Sequence, residues 1–83
     1  MNEVDEILGS GLEDQPIAIR IANNRGMLMF LAHEISQFRE SYAVNAAVGD
    51  TAGMGQIKEA VAMNLKKQDF VKATLAELEQ QAQ

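Results

Sequence analysis

His33 and Glu34 begin the stretch of this sequence that comes closest to a metal-binding motif. Zinc peptidases carry H-E-x-x-H on a helix, where two imidazoles one turn apart bind the metal. Here Gln37 stands where the second histidine would be. The other residues three or four positions from His33 also lack a metal-binding side chain: Met29, Phe30 and Ser36. We therefore predict no metal site and expect His33 to lie on the surface or in an interface.

The remaining reactive side chains lack the neighbours that catalysis needs. The carboxylate pair Glu3 and Glu6 has helical spacing, but it lies on a short acidic segment that cannot hold a rigid site. No serine stands in a nucleophile elbow. The chain has no cysteine, which excludes disulfides, thiolate metal sites and cysteine nucleophiles. We predict no catalytic residue and no cofactor, and hence a protein that is not an enzyme.

A glycine-rich stretch, GDTAGMG, spans residues 49–55. It is not a Walker A loop, because no Gly-Lys-Ser/Thr follows, nor a dinucleotide fingerprint, because no strand precedes it. It does open a predicted helix, whose first backbone N–H groups can hold an anion. Gly53, Gly55 and Lys58 are therefore a candidate anion-binding site. The simpler interpretation is that the glycines form the turn of a helical hairpin.

The net charge is concentrated at the N-terminus. The acidic residues of segment 1–14 carry the whole net charge of −5, and the acidic and basic residues after them cancel. Because phosphate binding requires a basic stripe, we do not expect a nucleic-acid partner. The longest apolar run, 27–32, is far shorter than the roughly 20 residues of a membrane span, and no signal peptide is evident. These features indicate a cytoplasmic protein.

One long apolar stripe predicts a first long helix, from about residue 16 to residue 48. Its members have the spacing of a single helix face: Ile17, Ile21, Leu28, Leu31, Ile35, Phe38 and Tyr42. The phase of this stripe continues across Gly26, and a glycine inside a helix costs only about 1 kcal/mol relative to alanine. We therefore favour a continuous helix. The alternative is a turn near Gly26, which would give a three-helix bundle.

A second long helix is predicted from about residue 52 to residue 80, after a loop at 49–53. Its apolar stripe is interrupted in the middle by Asn64 and Gln68: Met54, Ile57, Val61, Leu65, Val71, Leu75 and Leu78. Two long helices joined by a short loop form an antiparallel hairpin. We therefore predict an all-α protein in which residues 16–83 form the hairpin and residues 1–15 precede it as an arm.

Residues that favour helix ends lie at both boundaries. Asp14 or Gln15 can cap the first long helix, and Pro16 fits its first turn, where the missing N–H has no cost. Asp50 or Thr51 can cap the second.

The arm at 1–15 is acidic and is predicted to contain a short helix. Asn2 can cap this helix, and Gly9 and Gly11 can end it. Its apolar edge consists of Val4, Ile7 and Leu8. Such an arm docks on another subunit or partner, or else folds back on its own hairpin or stays mobile. The sequence favours neither alternative.

Both long helices carry apolar residues outside the stripes that face each other. We predict that these residues form an interface, in which Gly26 lets a second helix approach closely: Ile19, Gly26, Met27, Phe30, Val44, Met63 and Phe70. Exposed apolar patches of this kind mark contact surfaces. Because a chain of this length buries little of its own surface, we expect a homo-oligomeric helical bundle. A heteromer remains open.

Four amide side chains lie within or beside the two stripes: Asn24, Asn45, Asn64 and Gln68. Buried amides need hydrogen-bond partners. We expect them to pair across the hairpin, and the alternative is that they line a small polar pocket between chains.

Two functions fit this sequence. The leading one is a noncatalytic assembly or adaptor protein that binds itself and another protein through its outer apolar face and its acidic arm. The alternative is a small inhibitor or sequestering protein, such as an accessory protein of a phage or another mobile element. It would block an enzyme, or hold a small anionic ligand between subunits with Arg20, Arg25, Arg39 or Lys58.

Overall fold

The computed structural model describes residues 2–9 and 14–83. Within these ranges the chain forms three helices and no strand: α1 (Glu3–Gly9), α2 (Ile17–Ala47) and α3 (Thr51–Gln81). The two long helices pack against each other as an antiparallel hairpin. The predicted all-α fold, a short helix followed by a long helical hairpin, is confirmed. The expected end of the short helix at Gly11 lies outside the described residues.

The first long helix runs without interruption through Gly26. The apolar stripe explains why, because all seven of its members, from Ile17 to Tyr42, are buried or half-buried against α3. A break at Gly26 would move half of this stripe out of register with α3. The alternative of a turn near Gly26 is therefore wrong.

Helix α2 begins at Ile17, close to the predicted start at about residue 16, but its cap differs from the prediction. Pro16 occupies the N-cap position with a φ of −55°, and no side chain caps the helix. Neither Asp14 nor Gln15 has this role. Instead the Pro16 carbonyl accepts hydrogen bonds from the N–H groups of Ile19 and Arg20 at 3.0 and 3.1 Å. The fixed φ of proline suits this position, because it directs the chain into the first turn.

The end of α2 is a tight left-handed turn at Gly49, which has a φ of 75°. Its N–H donates to the Ala46 carbonyl at 3.3 Å, and the Asp50 N–H donates to the Asn45 carbonyl at 2.8 Å. This pair of bonds is the Schellman arrangement, which satisfies the last carbonyls of a helix and favours glycine at the left-handed position.

The second long helix begins immediately after this turn. The Asp50 side chain accepts a hydrogen bond from the Gly53 N–H at 2.8 Å, so it caps α3 as predicted. Because this cap allows the helix to begin at Thr51, the connection is shorter than the predicted loop at 49–53.

The apolar core of the hairpin is small. Among the described residues only four apolar side chains are buried: Leu31, Val71, Leu75 and Leu78. The shortest dimension of the chain is 14 Å, which is a single layer of helices. A single layer shields one face of each helix, so most apolar side chains of α2 and α3 remain in contact with solvent.

Candidate interaction surface

All seven residues of the predicted interface are exposed in the single chain. Phe30 on α2 is 56% exposed and Phe70 on α3 is 73% exposed. Aromatic side chains have a large apolar area, so their exposure to water has an unfavourable free energy in an isolated chain. Their contact with a second chain stays a prediction.

Two apolar grooves run along the hairpin between α2 and α3. We call the first the Phe38 groove; it measures about 410 Å³, and its apolar and aromatic lining consists of Phe38, Tyr42, Ile57, Val61, Ala62 and Leu65. We call the second the Met27 groove; it measures about 350 Å³ and is lined by Met27, Leu31, Phe70 and Val71 together with Lys66 and Lys67.

The two grooves lie on opposite faces of the hairpin. Met27 lines one groove and Arg39 the other, and their spacing places them about 120° apart around α2. On α3, Leu65 and Lys67 line different grooves and are about 160° apart. A partner seated in one groove therefore leaves the other accessible.

Two cations, Arg39 and Lys58, also line the Phe38 groove. The Lys58 Nζ lies 5.9 Å from the centre of the Tyr42 ring, within range of a cation–π contact. Within residues 2–9 and 14–83 the one ion pair is Arg25 with Glu79, at 3.4 Å and on the surface. Neither cation of the groove is thus neutralised by a described carboxylate.

The arm helix α1 exposes its apolar edge. Val4 is 60% and Leu8 79% exposed, and Ile7 is similarly open to solvent. The Asn2 side chain accepts a hydrogen bond from the Asp5 N–H at 2.8 Å, so the predicted cap is confirmed. The first turn carries three carboxylates, and the last turn carries no basic residue. The element is therefore an acidic helix with one apolar edge.

One of the four amides pairs across the hairpin. Asn64, 5% exposed, donates from Nδ2 to the Glu34 carboxylate at 3.3 Å. Asn24 instead donates to the Arg20 carbonyl one turn earlier in its own helix, at 2.8 Å. The expectation of cross-hairpin pairing is therefore met at Asn64 and wrong at Asn24. Asn45 and Gln68 are half-buried and form no such pair among the described residues.

The Phe38 groove was not predicted from the sequence, because Leu65 was expected to lie between the two long helices. Leu65 is half exposed, and its neighbour Asn64 is buried in its place. The amide faces α2 because Glu34 offers it a partner there. The interruption of the α3 stripe at Asn64 was the available signal.

The candidate anion site has no support in this geometry. The Gly53 N–H is already bonded to Asp50, and the Asp50 carboxylate repels an anion at the start of α3. A Cβ on Gly53 would meet the Asp50 and Asn45 side chains, so glycine is explained there by close packing.

His33 is exposed, and no metal-binding group of three His, Cys, Asp or Glu exists in the described part of the chain.

No protein-family model matches this chain, and comparisons with curated proteins and with solved structures found no significant match. Across the described residues, no helix combines the length and apolar character needed to cross a membrane.

Proposed function

We propose that this protein is a noncatalytic assembly or adaptor protein of the cytoplasm whose outer apolar face binds further copies of itself. The observation that carries the proposal is the accessible surface of the single chain. It exposes 6430 Å², whereas a compact monomer of 9.1 kDa exposes about 4,900 Å². Twelve large hydrophobic side chains are exposed among the described residues.

The excess surface matches what a stable interface needs. It amounts to about 1,500 Å² per chain, and a specific interface buries about 800 Å² of each partner. The radius of gyration supports the same conclusion, because it is 17.0 Å where a compact chain of this length has about 12 Å.

The first long helix carries apolar residues on two opposite sides. Ile19, Phe30 and Val44 lie within about 40° of one another around α2, on the side away from the stripe that faces α3, and all are exposed in the hairpin. An apolar stripe on a helix normally faces a packed neighbour. A neighbouring hairpin would cover these side chains and build a bundle of four or more helices.

The test of this proposal is the substitution Phe30→Asp. In an isolated hairpin the new carboxylate is solvated, so helical content by circular dichroism should not change. In an assembly the charge is buried at the contact. We expect the association constant to fall at least about 100-fold, because burying an unpaired charge costs several kcal/mol. Analytical ultracentrifugation measures this constant.

The matched control is Met29→Asp, one residue away, which is exposed but lies outside the predicted interface. We expect Met29→Asp to keep the native mass. Equal native masses for Phe30→Asp and the unaltered protein would reject the interface, and loss of helicity in Phe30→Asp would assign this side chain to folding instead.

A second candidate function is the binding of a small anionic ligand, and one observation favours it. The Arg20 Nε is buried and has no hydrogen-bond partner in the described structure. It lies beside Asn23 and Asn24 in a pocket of about 220 Å³. A phosphate or carboxylate would satisfy it. Calorimetric titration with inorganic phosphate and with a nucleotide tests this ligand binding on the unaltered protein and on Arg20→Gln. Equal heats of binding for the two proteins would contradict a role for Arg20.

A further inference from the structure

We propose that the Phe38 groove is the docking site for the acidic helix α1 of a second copy of this chain. This inference rests on the proposed self-association and states which surfaces meet. The groove offers an apolar floor with two cations that have no ion pair in the described structure, Arg39 and Lys58. The arm offers an apolar edge on a helix whose charged residues are all acidic.

Charge and shape match the arm helix to the Phe38 groove. The arm helix carries Glu3, Asp5 and Glu6 and no basic residue. Its apolar residues Val4 and Leu8 are spaced by four, so they lie on one side of the helix. Seated in the groove, this side meets the aromatic and aliphatic floor, while the carboxylates meet the cations along its edges. Opposite charges of this kind steer association and fix orientation.

The residue that leads from the arm into α2 lies on the other face of the hairpin. Gln15, which leads into α2, lines a pocket with Asn23, Met27 and Val71. Met27 and Val71 also line the Met27 groove. The chain therefore enters α2 from the face opposite to the Phe38 groove.

The length of the chain adds a second obstacle. Asp14 and Gln15 form a turn before α2, so the segment from Gly9 to Asp14 spans at most about 18 Å. With the arm helix of about 10 Å, the reach is about 28 Å when fully extended. The near end of the groove, at Leu65 beside the Asn64–Glu34 bond, is already about 26 Å along the axis from the start of α2, so the fully extended arm reaches only this end, and from the opposite face. An antiparallel second copy brings its own arm to this end of the hairpin.

The absence of cysteine from the chain allows a direct test by cross-linking. Gly9→Cys labels the end of the arm without touching its apolar edge or its charges, because a Cβ there contacts nothing within 4 Å. The test protein carries Gly9→Cys together with Ala62→Cys, which lies in the groove. This double variant is treated with a short bis-maleimide. The control combines Gly9→Cys with Ala73→Cys, which is exposed on α3 but outside both grooves.

We expect covalent dimers and larger species from the Ala62 variant. Docked thiols have an effective concentration of about 1 mM, so with about 10 μM protein they should react about 100-fold faster than thiols that meet by diffusion alone, and the Ala62 variant should give more links between chains than the Ala73 control. The double substitution Arg39→Glu with Lys58→Glu should reduce this yield while helicity is kept. Glu3→Lys with Glu6→Lys in that background should restore it, because the charges are exchanged.

Four results would overturn the inference. Internally linked monomers would show that the arm folds on its own hairpin. Equal yields from the Ala62 and Ala73 variants would show that the arm has no fixed site. No cross-linking in a protein of multimeric native mass would reject arm docking and leave the self-association of the hairpins standing, whereas a monomeric native mass would reject both.

Discussion

Asn64 is the one polar side chain that is buried among the described residues, and its amide joins the two long helices through Glu34. Removing one partner of a buried hydrogen bond leaves the other unsatisfied. We expect Asn64→Ala to lower the free energy of unfolding by about 1–3 kcal/mol. Gln68→Ala, at a half-buried position without such a bond, should change it by less than about 0.5 kcal/mol. Urea denaturation measures both, and equal effects would contradict a specific role for the bond.

Gly49 closes α2 with a left-handed backbone conformation. We expect Gly49→Ala to destabilise the hairpin by about 1–2 kcal/mol, because a Cβ is strained at positive φ. Gly55→Ala is the matched control, since Gly55 lies inside α3 and a Cβ there meets nothing. It should stabilise by up to about 1 kcal/mol. Thermal unfolding that moves in the same direction for both variants would contradict this assignment.

At the level of single residues, the sequence predicted the caps better than the burial. Asn2 and Asp50 cap α1 and α3 as their types and positions indicate. The interruption of the α3 stripe signalled the burial of Asn64 in place of Leu65, but the partner of its amide could not be predicted. That partner is Glu34, which comes thirty residues earlier and faces Asn64 only after the hairpin has closed.

At the level of elements, a substitution at Gly26 shows whether a second hairpin packs closely against α2. In the single chain, a Cβ on Gly26 meets nothing within 4 Å. Alanine should therefore favour the helix itself by about 1 kcal/mol. If a neighbouring helix packs on this position in the assembly, the added methyl group costs about 1–3 kcal/mol of contact energy.

We accordingly expect Gly26→Ala to raise the dissociation constant of the assembly at least about fivefold, from the lower bound of that overpacking cost. Gly55→Ala should leave the constant unchanged. Sedimentation of the two variants across a concentration series provides the comparison. A constant for Gly26→Ala that equals that of the unaltered protein would remove Gly26 from the interface.

The continuity of α2 and the hairpin could be predicted because the apolar phase is a local property of the sequence, and it does not change across Gly26. The start of α2 near residue 16 could be predicted as well, but its cap could not, because Pro16 serves as the N-cap through its backbone, where no side-chain pattern signals it. The Phe38 groove also escaped prediction, since it depends on Leu65 lying outside the contact between the helices.

At the level of the whole molecule, the core is small compared with the exposed apolar surface. Four buried apolar residues make a small core for two helices of 31 residues each. A two-helix hairpin of this kind is marginal by itself, and chains of this size commonly gain stability from oligomerisation. Folding and assembly are then coupled, so the thermal midpoint should rise with protein concentration.

The native mass in solution decides whether the chain self-associates. Light scattering after size exclusion, from low to high micromolar concentration, should give a defined multiple of the 9.1 kDa chain that persists on dilution. At concentrations low enough to separate the chains, the hairpin should keep its helical content but have a lower thermal midpoint. A chain that remains monomeric and fully helical at every concentration would contradict the account, because its apolar outer face would then be stable in water.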